Sequence, residues 1–148
     1  MNKKLYLLLL VPLLLSGCLF DDMPIDEDGL LITERAECYV SRLELLGADY
    51  QTVRAGIQGG SVDDLRKAKD AVIDTVACTI NVEVKWGSDL KNIYPQFTLA
   101  QDCKLDPKIT GLTDFSDLGH PRQYTVISGN RKIRKTYTIY ITIQELLP

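Results

Sequence analysis

Cys18 is the residue whose neighbours specify a chemistry most clearly. It closes the segment Leu15–Cys18 (LSGC), which follows two lysines near the start and an apolar run from Leu5 onward. A basic start followed by a short apolar run is typical of a secretory signal, and the run is shorter than the ~20 residues of a membrane-spanning helix. An apolar residue, two small residues and a cysteine form a bacterial lipobox. We therefore expect cleavage before Cys18 and lipid on its thiol, which would anchor the chain to a membrane.

The charge of the remaining chain excludes one class of partner. Loss of residues 1–17 removes two lysines and no acidic residue, so 15 basic side chains face 20 acidic ones. A net charge of about −5 disfavours binding to nucleic acid, which needs a basic face. The remaining length suits one domain with one modest core.

The residues that most often act in catalysis are few and poorly placed. The single histidine, His120, lies in the segment LGHPR before a proline, which predicts a surface loop. The adjacent carboxylates Asp21–Asp22 and Asp63–Asp64 do not converge on a substrate, because neighbours on a strand point to opposite faces. The sequence therefore predicts no enzyme.

Three cysteines follow Cys18, namely Cys38, Cys78 and Cys103. An exported protein meets an oxidising compartment, so one disulfide is open to any of the three pairs and one thiol remains. No CxxC pair is present, and one histidine is too few for a typical zinc site. We expect no metal and no cofactor.

Aromatic residues are the candidates for ligand binding, because the C–H face of a sugar packs on an aromatic ring. The candidates are Trp86, Tyr94 and Tyr140, with Tyr50 a further ring that could be exposed. Trp86 is in phase with the apolar residues of the preceding strand, which favours core packing over a binding platform. Tyr140 is out of phase with the apolar face of its strand and could equally be a cross-strand partner.

A basic cluster lies beside a predicted turn and consists of Arg131, Lys132, Arg134 and Lys135. It is interpreted as a solvated hairpin end, as an edge strand protected by charge, or as a contact with an acidic partner surface.

Alternating apolar residues predict strands at Tyr39–Leu46, Ile80–Trp86, Phe97–Leu99, Tyr124–Val126 and Thr136–Ile143. A Ser61 start signal and helical spacing predict one short helix, Val62–Ala71. Turn residues separate the strands at Gly87-Ser88-Asp89 and Ser128-Gly129-Asn130. Several short strands with turns between them predict a mainly β fold, a sandwich of antiparallel sheets.

The chain thus divides into three parts. Residues 1–17 form the signal peptide, residues 18–36 an acidic flexible tether, and residues 37–148 the folded domain. Acidic residues soon after the lipidated cysteine also resemble the surface-export signal of Bacteroidetes lipoproteins.

Residues 80–143 resemble an immunoglobulin-like β-sandwich module of Bacteroidetes surface lipoproteins. The motifs that carry the resemblance are INVEV at 80–84, GSDL at 87–90, PQFTL at 95–99, DFS at 114–116, YTV at 124–126 and YTI at 137–139. In this pattern Asp114 would cap a turn and Phe115 would fill the core, with Asp89 capping its own turn.

Modules of this kind accompany starch-utilisation-type (SusCD-like) outer-membrane importers. The resemblance therefore implies a surface-facing, lipid-anchored outer-membrane protein that serves a TonB-dependent barrel and its lid lipoprotein in uptake of a glycan or peptide. The alternative is a free-standing structural or adhesive surface module without an importer partner.

Overall fold

The computed structural model describes residues 23–56 and 68–145, and these contain strands but no helix. The strands are β1 (Val40–Leu46), β2 (Val72–Asp74), β3 (Thr79–Val84), β4 (Tyr94–Leu99), β5 (Lys104–Asp106), β6 (Gln123–Ile127) and β7 (Arg134–Ile143). They form a two-stranded sheet, β1-β4, and a five-stranded sheet in the order β2-β3-β7-β6-β5. The predicted mainly β class is confirmed, and no described helix could span a membrane.

The strand directions differ in part from the predicted antiparallel arrangement. β1 and β4 are antiparallel, as are β2 with β3, β5 with β6, and β6 with β7. β3 and β7 run parallel, with Thr79 opposite Thr138 and Val84 opposite Ile143. Alternation of apolar residues shows which face of a strand is buried but not its direction, so the prediction of purely antiparallel sheets was wrong at this pair.

The core lies between the two sheets. Leu43 and Leu45 of β1 belong to the same buried cluster as Ile80 and Val82 of β3. On β7 the predicted alternation holds at Tyr137 and Ile139, which are buried, whereas Ile143 is 45% exposed. β6 pairs with β7 only from Ile127 to Gln123, so the last residues of β7 extend past that neighbour.

Two ring contacts join the sheets across the core. The ring centroids of Phe97 on β4 and Tyr124 on β6 are 4.9 Å apart. The Tyr137 hydroxyl on β7 accepts a hydrogen bond from Val40 N on β1 at 3.4 Å. Phe115 is also buried in this core, as its motif predicted.

The predicted helix Val62–Ala71 lies outside the described residues as far as residue 67. Its described end is not helical, because Ala68 forms a β-bridge with Gly56 and β2 begins at Val72. β2 and β5 were not predicted, because three residues are too few for alternation to be recognised.

A buried ion pair is the most polar feature of the domain interior. Arg54, which is 1% exposed, donates from Nε and Nη2 to the two carboxylate oxygens of Glu44, each at 2.7 Å. Thr52 Oγ1 donates to Glu44 Oε1 at 2.8 Å, and Arg54 Nη1 donates to Lys69 O and to Asp70 Oδ1. These contacts fix Thr52 and Arg54 against β1, and the hydrogen bond from Ala55 N to Glu83 O at 2.8 Å joins the same segment to β3.

The residues before the domain form a local turn of their own. Asp26 Oδ1 accepts hydrogen bonds from Asp28 N at 3.0 Å and Leu30 N at 2.9 Å. Ile25 and Leu31 form a bridge, so part of the predicted tether has a hairpin-like conformation. The folded unit begins at Glu34, and Cys18 with its signal peptide lies outside the described residues.

Candidate functional site

Two of the predicted ligand-binding residues lie at the same end of the two-sheet domain. β1 ends at Leu46 opposite Tyr94, the first residue of β4. Val53 connects this end to β3, because Val53 N donates to Leu45 O at 3.0 Å and Lys85 N donates to Val53 O at 2.8 Å. Trp86 follows Lys85 in the sequence, and Tyr50 lies in the loop after β1. We call Tyr50, Trp86 and Tyr94 the aromatic end.

Trp86 is exposed, so the interpretation of this residue as a core residue was wrong. Its side chain is 64% exposed, whereas Ile80, Val82 and Val84 of β3 are buried as predicted. β3 ends at Val84, and the chain turns at Trp86 and Gly87, which has a φ of 77°. Ser88 Oγ closes the turn by donating to Lys85 O at 2.8 Å. Alternation ends where the strand ends, so the phase of Trp86 no longer determines its side.

Tyr50 was predicted from the sequence only as a further ring that could be exposed, and the structure places it at the aromatic end. It is 69% exposed and adopts a φ of 60°, which is uncommon for a bulky residue. The loop is held by Tyr50 N to Gly47 O at 3.0 Å and by Gln51 N to Asp49 Oδ1 at 3.1 Å. The Tyr50 ring packs at 59° against Tyr94, which is partly buried, with 6.2 Å between centroids.

The arrangement can hold a ligand that has an apolar face, such as the C–H face of a sugar ring. Large exposed rings leave apolar area in water, and a tryptophan and a tyrosine exposed at one end are a more informative observation than an isolated exposed leucine. Packing of a sugar C–H face on such rings removes that area from water.

Tyr140 lies apart from this end, on the outer face of β7, where it is 43% exposed and opposite Asn81 of β3. It lines a cavity together with His120 and Arg122. The three predicted binding rings are therefore divided between two places.

The basic cluster surrounds the connection between β6 and β7, and three of its members bind within the domain. Arg131 Nη1 donates to the carbonyl oxygens of Ser128 and Asp102, Arg134 lies 3.5 Å from Asp106, and Lys135 Nζ lies 3.4 Å from Thr75 O. The turn itself is confirmed, although Arg131 rather than Gly129 or Asn130 has the positive φ. The side chain of Lys132 is exposed.

The turn aspartates behave as their motifs predicted. Asp114 Oδ1 accepts hydrogen bonds from Ser116 Oγ at 2.6 Å and Ser116 N at 2.8 Å, and these bonds lower the pKa of Asp114. Asp89 accepts from Asn92 Nδ2 and Lys91 N, which lowers its pKa as well. Both carboxylates thus act in turn structure.

The three described cysteines are free thiols. Cys38 Sγ donates to Val126 O at 3.2 Å, and Cys103 Sγ donates to Glu37 O at 3.1 Å. Burial raises the pKa of both thiols, which favours these protonated donors. Within residues 23–56 and 68–145, no three His, Cys, Asp or Glu side chains are grouped as metal ligands.

Comparison with known proteins assigns the family. The family described as "SGBP, N-terminal" matches residues 61–141, more than half of the chain. The chain belongs to the SGBP N-terminal family. The matched segment includes Trp86, Tyr94 and Tyr140, whereas Tyr50 lies before it. No curated protein sequence matches the chain.

Solved structures from Bacteroides species are similar to this SGBP N-terminal chain. A candidate glycoside hydrolase from Bacteroides thetaiotaomicron is 25% identical with a TM-score of 0.54, over 76% of this chain and 26% of that protein. The chain therefore spans about a quarter of that relative. A protein of a domain family without assigned function from Bacteroides eggerthii is 16% identical, with a TM-score of 0.49 over 75% and 22% of the two chains. The family and the first of these structures support the predicted resemblance to Bacteroidetes surface proteins of the starch-utilisation type.

Proposed function

We propose that this chain is a non-catalytic glycan-binding protein of the Bacteroidetes outer-membrane surface, and that the aromatic end is its binding surface. The observation that carries the proposal is the exposure of Trp86 and Tyr50 at one end of the domain, at 64% and 69%, whereas Tyr39 and Tyr140 reach only 40% and 43%. The SGBP N-terminal family supports a glycan ligand.

The finer parts of the proposal rest on the sequence. Lipid on Cys18 would hold the protein on the cell surface, and the immunoglobulin-like module would act as an accessory subunit of a TonB-dependent importer of glycans or peptides. In the basic cluster, Lys132 is the side chain that we assign to contact with an acidic surface of the barrel or its lid lipoprotein.

Affinity electrophoresis in gels that contain soluble polysaccharides tests the ligand. We expect at least one neutral polysaccharide to retard the native protein, and we expect Trp86→Ala and Tyr50→Ala to reduce the retardation strongly. Tyr39→Ala is the matched control, because Tyr39 is 40% exposed and lies outside the aromatic end. Equal loss in Tyr39→Ala would contradict the assignment, and release of reducing ends from the polysaccharide would contradict the non-catalytic role.

Co-purification in mild detergent from the native membranes tests the partner. We expect a TonB-dependent barrel and its lid lipoprotein to accompany the lipidated protein in fixed proportion, and Lys132→Glu to weaken that association. Recovery of the protein alone would contradict the accessory role.

A second candidate is a structural spacer on the surface. The observation that favours it is that the matched fold makes up 26% of the Bacteroides thetaiotaomicron protein, where it is one part of a longer chain. A spacer would give no retardation on any polysaccharide while the barrel partner still co-purified.

A further inference from the structure

A cavity of about 390 Å³ opens at a corner of the five-stranded sheet. It exists because β6 begins at Gln123, opposite Thr138, whereas β7 continues to Ile143. The hydrogen bond from Ile139 N to Arg122 O at 2.9 Å continues the contact between the two chain segments one residue beyond the β6 strand. The loop from Asp114 to Arg122 forms one wall, and the edge of β7 from Ile139 to Ile141, which β6 leaves uncovered, forms the other.

The loop wall carries polar groups in fixed positions. Asp117 Oδ1 accepts hydrogen bonds from Gly119 N and His120 N, each at 3.2 Å, and Asp117 Oδ2 lies 2.9 Å from His120 Nδ1. A carboxylate only accepts hydrogen bonds, so Nδ1 carries the proton of the neutral ring. His120 Nε2 is thereby left as the acceptor of the imidazole.

Arg122 supplies the donors of the cavity. Its Nε donates to the Asp114 carbonyl oxygen, and its guanidinium carbon lies 5.8 Å from the centroid of the buried Phe115 ring. These two contacts restrict the guanidinium to one side of the cavity, where a planar group with several N–H donors can meet hydroxyl oxygens.

The remaining wall is apolar and partly exposed. The Tyr140 ring is 43% exposed and Leu118 is 44% exposed. A small apolar wall beside a few convergent polar groups is the usual composition of a small-molecule site, and this volume is near the lower end of the ~300–1,000 Å³ range of such sites. The cavity therefore suits one or two sugar units rather than a long chain.

The charges at the cavity decide between neutral and acidic sugars. Two carboxylates, those of Asp114 and Asp117, line it with one guanidinium, that of Arg122. A sugar carboxylate or sulfate would meet a site without excess positive charge, whereas sugar hydroxyls can use both donors and acceptors.

We propose that this corner cavity binds a neutral sugar unit, with the C–H face of the sugar on Tyr140 and its hydroxyls on His120, Asp117 and Arg122. The site shares no residue with the aromatic end, so the proposal goes beyond the proposed function and can be tested independently of it. Its polar groups are largely exposed, with 89% for His120 and 70% for Asp117, so we expect millimolar affinity.

Amide NMR titration of the ¹⁵N-labelled folded protein tests this proposal with named probes. The probes are methyl α-D-glucopyranoside, methyl α-D-mannopyranoside, methyl β-D-galactopyranoside and, as the acidic control, D-glucuronate. We expect at least one neutral glycoside to shift the amides of Leu118, Gln123 and Tyr140 in a saturable way, and glucuronate to bind more weakly. Tyr140→Ala should weaken that binding about tenfold, a loss of about 1.4 kcal/mol.

Two further variants separate a binding role from a structural one. Tyr140→Phe keeps the ring and should retain binding, whereas His120→Ala, on an exposed loop, should weaken binding with the dispersion of the spectrum unchanged. Absence of saturable shifts with every neutral probe would overturn the proposal, as would tighter binding of glucuronate.

The outcome is distinguishable from that of the proposed function. Tyr50→Ala should leave the NMR shifts at the cavity unchanged, and Tyr140→Ala should leave polysaccharide retardation by the aromatic end largely intact. Loss of the cavity shifts in Tyr50→Ala would contradict an independent site.

Discussion

Tyr50 and Arg54 are four residues apart and have opposite environments. The aromatic ring of Tyr50 is 69% exposed, whereas the charged side chain of Arg54 is 1% exposed. From side-chain polarity alone, the tyrosine would be expected to be buried and the arginine to be exposed. The comparison shows that a fully hydrogen-bonded cation can be a structural group in this domain, whereas an unburied ring is available for a ligand.

The difference follows from what each group loses or gains by burial. A buried guanidinium is tolerated only when its charge is paired and its donors are satisfied, and Glu44, Lys69 and Asp70 supply those partners. No buried side-chain nitrogen or oxygen among the described residues lacks a partner. Tyr50 retains the cost of exposed apolar surface in the free protein, which binding of a ligand would relieve.

We expect the largest effect on stability from a substitution in the buried Arg54–Glu44 pair. Glu44→Gln removes the buried counter-charge of Arg54 and leaves only the exposed carboxylate of Asp70, so we expect it to lower the free energy of unfolding by about 3–5 kcal/mol. Chemical denaturation measures the change. The matched control is Asp106→Asn, because Asp106 and Arg134 form an exposed pair at 3.5 Å, and pairs of that kind contribute at most about 1 kcal/mol. Equal effects of the two substitutions would contradict the account.

Stability should also depend on pH through Glu44. Burial alone would raise the pKa of Glu44, but hydrogen bonds from Arg54 and Thr52 outweigh it and hold this pKa below its ordinary value. A lowered pKa in the folded state contributes stability above the unfolded pKa of about 4.3, and this stability is lost as the pH falls through the folded pKa.

Denaturation of the wild type and Glu44→Gln between pH 7 and pH 3 isolates this contribution. The lowered pKa values of the turn aspartates act equally in both proteins, so the difference in stability reports Glu44. We expect the two curves to converge at low pH. A constant difference from pH 7 to pH 3 would show that Glu44 does not titrate as the geometry requires.

Substitution of the exposed rings Trp86 and Tyr50 should have little effect on stability. We expect Trp86→Ala and Tyr50→Ala to change the free energy of unfolding by no more than about 0.5 kcal/mol, because neither ring belongs to the core cluster. The denaturation midpoint measures this. A loss of several kcal/mol in Trp86→Ala would show that the ring stabilises the fold and would weaken its assignment to ligand binding.

The strands were predictable where one face is buried along the whole strand. Ile80, Val82 and Val84 are buried as their alternation indicates. The parallel pairing of β3 with β7 was not predictable, because it depends on contacts between segments that are far apart in the sequence. The Arg54–Glu44 pair was also missed, since no local pattern shows that residues 52–55 will cover the outer face of β1.

The candidate site was predictable in residue type but not in arrangement. Trp86, Tyr94 and Tyr140 were selected because their rings suit sugars, yet only the fold brings Tyr94 against Tyr50 and places Tyr140 beside His120. Trp86 was assigned to the core because its phase was extended beyond the end of β3, where the turn at Gly87 changes its direction.

Intrinsic fluorescence of Trp86 tests the central claim most directly, because Trp86 is the single tryptophan of the chain and is 64% exposed. Titration with the polysaccharide that retards the protein should shift its emission to shorter wavelength, since a sugar on the ring removes water from it. The shift should saturate at the concentrations that calorimetry gives for binding. Binding that calorimetry detects without any change in Trp86 emission would contradict the aromatic end as the glycan-binding surface.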